Sequence, residues 1–198
     1  MISISRGNEK LGEIPSVSLP AVKTCGNVPC AKKCYARRLG ARRSNVRDAW
    51  EKNWRILKND PNTYWKEVEA SIKMSRFFRF HVSGDIPDME YLNQMFSIAR
   101  RNRHCKILCF TKKYEIVNAY LASGVRKPAN LLLVFSVWKG LKCDNPFRLL
   151  EAHVRLRNGE TTAPRGSKEC GGNCATCGQT ESGCWVLKKG QSVVFNEH

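Results

Sequence analysis

Apolar residues recur along the first third of the chain at steps of three and four, the spacing of one face of an α-helix. This pattern predicts helices over residues 31–43, 44–58 and 63–74, with Pro29 at the entry of the first helix. Residues 1–24 show no such stripe, and we expect them to be extended. The first third of the chain is therefore expected to be mainly helical.

In the middle third of the chain, short apolar runs alternate with helical patterns. The apolar runs predict β-strands over residues 77–83, 106–111 and 131–138. The segments between them predict a helix from Pro87 or Asp88 to Arg101 and a helix over residues 114–122. Because strands and helices alternate, parallel pairing with right-handed crossovers is expected, which makes the fold class α/β.

Beyond the third predicted strand the pattern weakens. Residues 153–156 predict a short strand, and residues 192–195 form a closing apolar run. The interior of the sequence contains no linker rich in Pro, Gly or Ser, so we expect a single domain over residues 1–198. It combines a core of helices and strand–helix units over residues 25–140 with a cysteine-rich C-terminal extension over residues 165–198.

Polar side chains occur on the predicted strands and at their ends. Arg79, His81 and Ser83 share one face of the first strand, because side chains alternate across a strand. Charged groups on a buried strand are costly unless they line a polar cavity, and α/β sheets bind ligands at the carboxyl ends of their strands. Two alternatives stay open: His81 as a hydrogen-bonded core histidine, and the lysines as a solvated loop. The candidate site comprises Arg79, His81, Ser83, Asp85, Thr111, Lys112, Lys113 and Ser136.

Seven of the ten cysteines fall into two short segments. The first knot consists of Cys25, Cys30 and Cys34, and the second knot consists of Cys170, Cys174, Cys177 and Cys184. The start of the chain lacks the basic and apolar stretches of a secretion signal, so we expect a cytoplasmic protein. Clustered thiols in that reducing compartment indicate soft-metal ligands rather than disulfides.

The two knots differ in the number of thiols that they offer. Three thiolates hold a 4Fe–4S cluster with one iron open, whereas zinc at the first knot needs a fourth ligand such as His81, Cys109 or a distal cysteine. Four thiolates suit zinc and a second 4Fe–4S cluster equally. We expect Cys105, Cys109 and Cys143 to be structural, and His198 to be frayed rather than a ligand.

The formal net charge of +17 favours a polyanionic partner, of which nucleic acid is the simplest. Residues 25–58 alone carry ten cations and two anions. A solvated helix face is the alternative explanation. The sequence contains no apolar run of the length that spans a membrane, so no membrane partner is expected.

Four segments together resemble the radical S-adenosylmethionine superfamily, and more closely phage and prophage proteins of the gene-product-eighty-eight type. They are Cys30-x3-Cys34-Tyr-Ala, His81-Val-Ser-Gly-Asp85, Phe110-Thr-Lys-Lys113 and Phe135-Ser-Val. The resemblance also takes in the second knot and residues 193–198. If a phage encodes the protein, the expected compartment is the cytoplasm of its host. The resemblance implies a shortened parallel βα barrel, a 4Fe–4S cluster on the first knot, and S-adenosylmethionine on its open iron, with Gly84 and Asp85 beside the amino group of that ligand.

The leading hypothesis is an iron–sulfur protein with a radical-SAM-like core that acts on nucleic acid or another anion. Arg79, His81 and Lys112 would then position the substrate. An alternative is a zinc-stabilised, basic nucleic-acid-binding protein without catalysis, and a third is an electron carrier that docks on a redox partner. The expected cofactor-binding residues are Ser83, Gly84, Asp85, Thr111, Lys113 and Ser136.

Overall fold

A computed structural model describes residues 1–197; the expectation about His198 falls outside this range. Within it, α-helices lie at Ala21–Cys25 (α1), Tyr35–Arg42 (α2), Ser44–Asn59 (α3), Pro61–Lys73 (α4), Met89–Arg101 (α5), Tyr114–Ala122 (α6) and Cys174–Gln179 (α7). Strands lie at Ile4–Ser5 (β1), Ser16–Val17 (β2), Phe77–Phe80 (β3), Lys106–Thr111 (β4), Leu131–Ser136 (β5), Leu150–Arg155 (β6), Lys168–Glu169 (β7) and Ser192–Asn196 (β8). Two 3₁₀ turns, Pro29–Lys33 and Gly183–Val186, complete the elements.

All eight strands join one sheet in the order β1-β2-β3-β4-β5-β6-β8-β7. The β1–β2 pair is antiparallel, and every other pair is parallel. Helices α5 and α6 connect β3 to β4 and β4 to β5, as the alternating pattern predicted. The expected α/β class is therefore confirmed. The strand order gives a sheet with β1 and β7 at its edges, and closure into a barrel is not seen in the strand pairs of residues 1–197.

Helices α4 and α5 begin where a side chain accepts a hydrogen bond from a free backbone amide of the first turn. Asp60 accepts a hydrogen bond from the Thr63 amide at 3.0 Å and starts α4, with Pro61 as its first residue. Asp88 accepts from the Tyr91 amide at 2.8 Å and starts α5. The helix expected over residues 31–43 is divided instead, because extended backbone at Cys34 separates a 3₁₀ turn from α2.

Strand β3 ends three residues earlier than predicted. His81 has a φ of +60°, a left-handed conformation that breaks the side-chain alternation after Phe80. Gly84 follows with a φ of +85°, and a Cβ there would lie 2.7 Å from the carbonyl oxygen of Leu19. The backbone therefore turns sharply at the end of β3 and packs closely against the segment before α1.

The two faces of the sheet have different coverings. On one face, α4, α5 and α6 pack their apolar side chains against Phe78, Phe80 and Phe135. On the other face, a second apolar cluster joins Leu108 and Val134 to an N-terminal loop and the C-terminal extension, through Leu11, Ile14, Trp185 and Leu187. No helix among residues 1–197 has the length and apolar character needed to cross a membrane.

We predict that Asn130→Ala destabilises the fold by about 1–3 kcal/mol. The Asn130 amide donates to the carbonyl oxygens of Ala99, Asn102 and Cys105 at 3.0, 3.0 and 2.9 Å, and so fastens the α5–β4 turn to the start of β5. Urea unfolding measures the loss. The control Asn158→Ala, in an exposed turn, should change stability by less than about 0.5 kcal/mol, and equal losses in both variants would contradict this role.

Candidate metal centre

Both cysteine knots open into a single cavity of about 270 Å³. The cavity lies on the face of the sheet opposite to α4, α5 and α6, towards the carboxyl ends of the parallel strands. The sequence separates the knots by more than a hundred residues, and the parallel sheet brings them together. The residues that line it include all seven knot cysteines, together with Lys33, Tyr35, Arg79, His81, Ser83, Gly84, Asp85, Phe110, Lys112, Ser136 and Trp185.

The three cysteines of the first knot lie along the segment from the end of α1 to the start of α2. Cys25 ends α1, Cys30 lies in a 3₁₀ turn that begins at Pro29, and Cys34 is the extended residue between this turn and α2. All three thiols are half-buried. Burial, and next the negative charge of Asp85, raise the pKa of Cys25 to about 12, whereas Lys112 acts in the opposite direction. A metal bound here must therefore displace the thiol proton, and the nearby lysine favours the resulting thiolate.

The second knot is built into the C-terminal extension. Cys174 and Cys177 lie one turn apart on α7, which Asn173 caps by accepting from the Thr176 amide at 3.0 Å. Cys170 precedes this helix, and Cys184 lies in the second 3₁₀ turn. Burial raises the pKa of Cys184 to about 12 and also raises the pKa of Cys174.

Trp185 joins the second knot to the sheet. Its indole N–H donates to the carbonyl oxygen of Cys174 at 3.1 Å, and its ring lies 4.8 Å from the ring of Phe77 on β3. Gly183 has a φ of +56°, and a Cβ at this position would lie 2.7 Å from the Cys177 sulfur. Trp185 therefore packs between the second knot and β3.

The thiols of each knot share the cavity without meeting at one coordination point. Within residues 1–197, no group of three or more Cys, His, Asp or Glu side chains has the arrangement that holds a single metal ion. The thiolates that hold a cubane bind different iron atoms, so they do not need to converge on one point. The donor chemistry of both knots remains that of soft metals.

Arg79 lies between the second knot and the open cavity. Its Nη1 is 3.7 Å from the Cys174 sulfur, and its guanidinium carbon lies 4.9 Å from the centre of the Phe110 ring. The Nε atom is buried and has no hydrogen-bond partner among the described residues. Because arginine stays charged, this side chain offers the cavity a fixed positive charge.

Asp85 ties the end of β3 to the end of β4. Its carboxylate accepts hydrogen bonds from the Thr111 hydroxyl at 2.6 Å and from the amides of Ile86 and Lys112 at 2.8 and 2.9 Å. Its own amide donates to the Thr24 hydroxyl at 2.9 Å, directly beside Cys25. Burial raises the pKa of Asp85 against the opposing effect of these hydrogen bonds.

The other predicted polar residues have different surroundings. Thr111 is buried behind Asp85 and accepts from the Lys113 amide at 2.9 Å. The Lys113 ammonium lies beside Gly26 in the first knot. Ser83 lines the cavity, and its buried hydroxyl has no hydrogen-bond partner in the part of the chain described. Ser136 also lines the cavity, and its carbonyl oxygen accepts from the Tyr114 hydroxyl.

His81 borders the cavity but belongs to a buried hydrogen-bonded chain. Its Nε2 lies 3.1 Å from the Tyr91 hydroxyl, which is 2.9 Å from the Tyr64 hydroxyl, and its Nδ1 lies 3.7 Å from the Cys109 sulfur. Burial, and next the charge of Arg79, lower the pKa of His81 to about 3. The geometry favours the core-histidine alternative, with the ring neutral at physiological pH.

Tyr35 and Lys33 are two cavity residues that the sequence reasoning did not assign. Tyr35 is 43% exposed, and its hydroxyl donates to the carbonyl oxygen of Val82 at the end of β3. The surrounding protein still raises the pKa of this hydroxyl by desolvation. Lys33 pairs with Glu197 at 2.6 Å. The position of Tyr35 next to Cys34 is a signal that could have identified it, whereas nothing in the sequence links Lys33 to Glu197.

The fold and the cavity define an α/β protein with a mostly parallel sheet and a cysteine-lined pocket at the carboxyl ends of its strands. The sequence profile of the gene product 88 family matches residues 3–155, and the chain belongs to this family. The matched segment contains the first knot and β1 to β6, and it ends before the second knot. No curated protein and no solved structure matches the chain.

We predict that His81 makes the fold sensitive to acid. Between pH values of about 6.5 and about 3, the unfolded chain binds a proton at this ring that the folded chain excludes. The free energy of unfolding should therefore fall as the pH falls, by at most about 1.4 kcal/mol per pH unit from this group. Urea unfolding over this range should show a flatter profile for His81→Gln, while the exposed control His104→Gln keeps the wild-type slope.

We also predict that Asp85→Asn destabilises the protein by about 1–3 kcal/mol, because an amide NH₂ cannot accept from the donors around the carboxylate. Thermal and urea unfolding measure the change. Asp144→Asn, at an exposed carboxylate, serves as the control. Equal stability of Asp85→Asn and the wild-type protein would show that the Asp85 hydrogen bonds do not hold β3 and β4 together.

Proposed function

We propose that the protein is an iron–sulfur enzyme of radical-SAM-like type that acts on an anionic substrate in the cavity. The observation that carries this proposal is that both cysteine knots, distant in sequence, line one cavity at the carboxyl ends of parallel strands. This is the edge of an α/β sheet where ligands bind. The resemblance of the first knot and the strand ends to radical SAM sequences supports the same conclusion.

The residues of the first knot fit a 4Fe–4S cluster. Cys25, Cys30 and Cys34 supply three soft ligands from one short loop, and one iron would stay open for S-adenosylmethionine. When bound, the cluster would supply the electron for reductive cleavage of S-adenosylmethionine. Asp85 and Thr24 hold the loop in place through the hydrogen bond beside Cys25.

The cations of the cavity would bind and orient the substrate anion. Arg79 offers a guanidinium charge that lines the cavity, and Lys112 borders the same space beside the first knot. Phe110 and Trp138 give the cavity an apolar wall, which strengthens the attraction between these cations and an anion. Of the polar set predicted from the sequence, Arg79 and Lys112 would thus bind the anion, while His81 is engaged with Tyr91 and Cys109.

The second knot is proposed to be a structural metal site. Its thiols pack into the apolar cluster that covers the sheet, and Trp185 connects them to β3. Zinc or a second 4Fe–4S cluster would fasten the C-terminal extension, which has few apolar residues of its own. A zinc-stabilised binding protein without catalysis is the second candidate function. The packing of the second knot is that of a structural site, and this second function follows if the first knot also holds zinc.

Anaerobic reconstitution with iron and sulfide tests the first knot. We expect visible absorption of an iron–sulfur protein and about four iron and four sulfide ions at this knot. Cys25→Ala, Cys30→Ala and Cys34→Ala should each lose the absorption, iron and sulfide that belong to the first knot, because two thiols cannot retain a cubane. Cys143→Ala, a half-buried cysteine outside the knots, should retain it. A colourless wild-type protein with zinc at the first knot would overturn the proposal.

Reductive turnover tests the chemistry separately. With a strong reductant and S-adenosylmethionine, the reconstituted protein should release 5′-deoxyadenosine and methionine, measured by liquid chromatography. Cys30→Ala should abolish this release, and Cys143→Ala should leave it within about twofold of wild type. A protein that carries the cluster without any release would be an electron carrier rather than an enzyme.

A further inference from the structure

The ten cations between residues 25 and 58 form an exposed array on α2, α3 and the turn before them. All ten side chains are exposed, and we call this set the basic array. In residues 1–197, its ion pairs are those of Lys33 with Glu197 and Arg47 with its neighbour Asp48. The basic array comprises Lys32, Lys33, Arg37, Arg38, Arg42, Arg43, Arg47, Lys52, Arg55 and Lys58.

The basic array has a rigid support. Buried Asn53 donates to the carbonyl oxygens of Ser3 and Ser18 at 2.9 and 3.0 Å and accepts from the Ser3 amide at 2.7 Å, which fixes α3 against the N-terminal strands. The Trp50 ring fills the space above Gly40, where a Cβ would lie 3.3 Å from it. The cations therefore stand on two packed helices, and the 16 residues of α3 extend over about 24 Å.

The basic array leads directly to the cavity. Lys33 lines the cavity and comes directly before Cys34, and α2 begins at the next residue, Tyr35. Tyr35 lies at the cavity wall with 43% of its surface exposed, anchored through its hydroxyl to Val82. An exposed aromatic ring thus stands between a row of cations outside and the charged Arg79 inside.

We propose that single-stranded nucleic acid binds along the basic array and stacks a base on Tyr35 at the entrance of the cavity. Spaced cations match the regular phosphates of a nucleic-acid strand, and aromatic rings beside such cations stack unpaired bases. A single strand fits better than a duplex, because a paired base must leave its stack before it can enter a cavity. The claim that this strand is the substrate rests on the proposed function. The claim that it binds to the basic array does not.

Fluorescence anisotropy with a labelled DNA single strand of about 20 nucleotides tests the inference, since that strand exceeds the length of α3. The affinity should fall steeply with salt. The triple variant Arg38→Gln, Arg42→Gln and Arg55→Gln should reduce the slope of log affinity against log salt by about 2, because each lost phosphate contact removes about 0.7.

A matched triple variant controls for net charge. Arg103, Lys188 and Lys189 are equally exposed and lie before β4 and β8, at the amino ends of the strands and away from the cavity. Their replacement by Gln removes the same charge and should leave the slope unchanged. An equal reduction in both triple variants would overturn the basic array as the binding surface.

Tyr35 variants test base stacking. Tyr35→Phe should bind the single strand within about twofold of wild type, whereas Tyr35→Leu should bind at least about fivefold more weakly. Circular dichroism and unfolding of Tyr35→Leu establish that it is folded. Unchanged binding by folded Tyr35→Leu, or tighter binding of a duplex of the same length, would overturn the single-strand inference.

Two further outcomes separate this inference from the proposed function. Absence of binding at low salt, or equal binding of poly-glutamate or of phosphatidylserine vesicles, would overturn the inference even in a protein that carries the cluster. Salt-dependent binding by a protein that never acquires a cluster would support the inference while the proposed function fails. The visible spectrum of each sample decides which case applies.

Discussion

The carboxylate of Asp85 is the constraint on which the rest of the site depends. It accepts three hydrogen bonds from the residues that follow β3 and end β4, so two neighbouring strands finish at a fixed distance from each other. The Asp85 amide then holds Thr24, and Cys25 comes next in the chain. One buried anion thereby connects the carboxyl edge of the sheet to the first knot, and its charge also helps to keep the Cys25 thiol protonated.

The cavity exists because helices cover one face of the sheet and irregular segments cover the other. Regular helices fill one face with large apolar side chains. The other face receives a loop and a glycine-containing extension, whose packing is completed by Trp185 and by the thiols of the second knot. Short irregular segments cover a sheet less fully than helices do, and the space left between them is the pocket that the knots and Arg79 share.

The strand–helix core could be predicted closely from the sequence, because its elements have strong periodicity and clear ends. Strand β4 and helix α6 have the predicted bounds, and Asp88 starts α5 as one of the two expected residues. The end of β3 could not be predicted, because His81 has a left-handed backbone and contacts Tyr91 and Cys109, which lie on other elements of the fold. Strand β6 begins three residues before the predicted start, and the alternation of apolar and polar residues that begins at Leu150 was the signal for this earlier start.

The kinds of residue that line the cavity could be predicted from the sequence, and their arrangement less so. Cysteine spacing identified both knots, but only the parallel sheet shows that they face one cavity. Thr111 was expected to bind a ligand, and it instead binds Asp85, a pairing between two strand ends that no local pattern encodes. Tyr35 lacked any periodic signal, since its position depends on where the 3₁₀ turn stops and α2 begins.

The position of β8 gives the second knot an importance beyond its own segment. This strand lies between β6 and β7, and it covers the backbone of β6 along Glu151–Arg155. If oxidised thiols released the extension, β6 would become an open sheet edge with Ala152 and Val154 available to a neighbouring chain. Such edges template pairing between molecules. Damage to the second knot should therefore show itself as self-association of the protein, and not simply as a local loss of structure around the thiols.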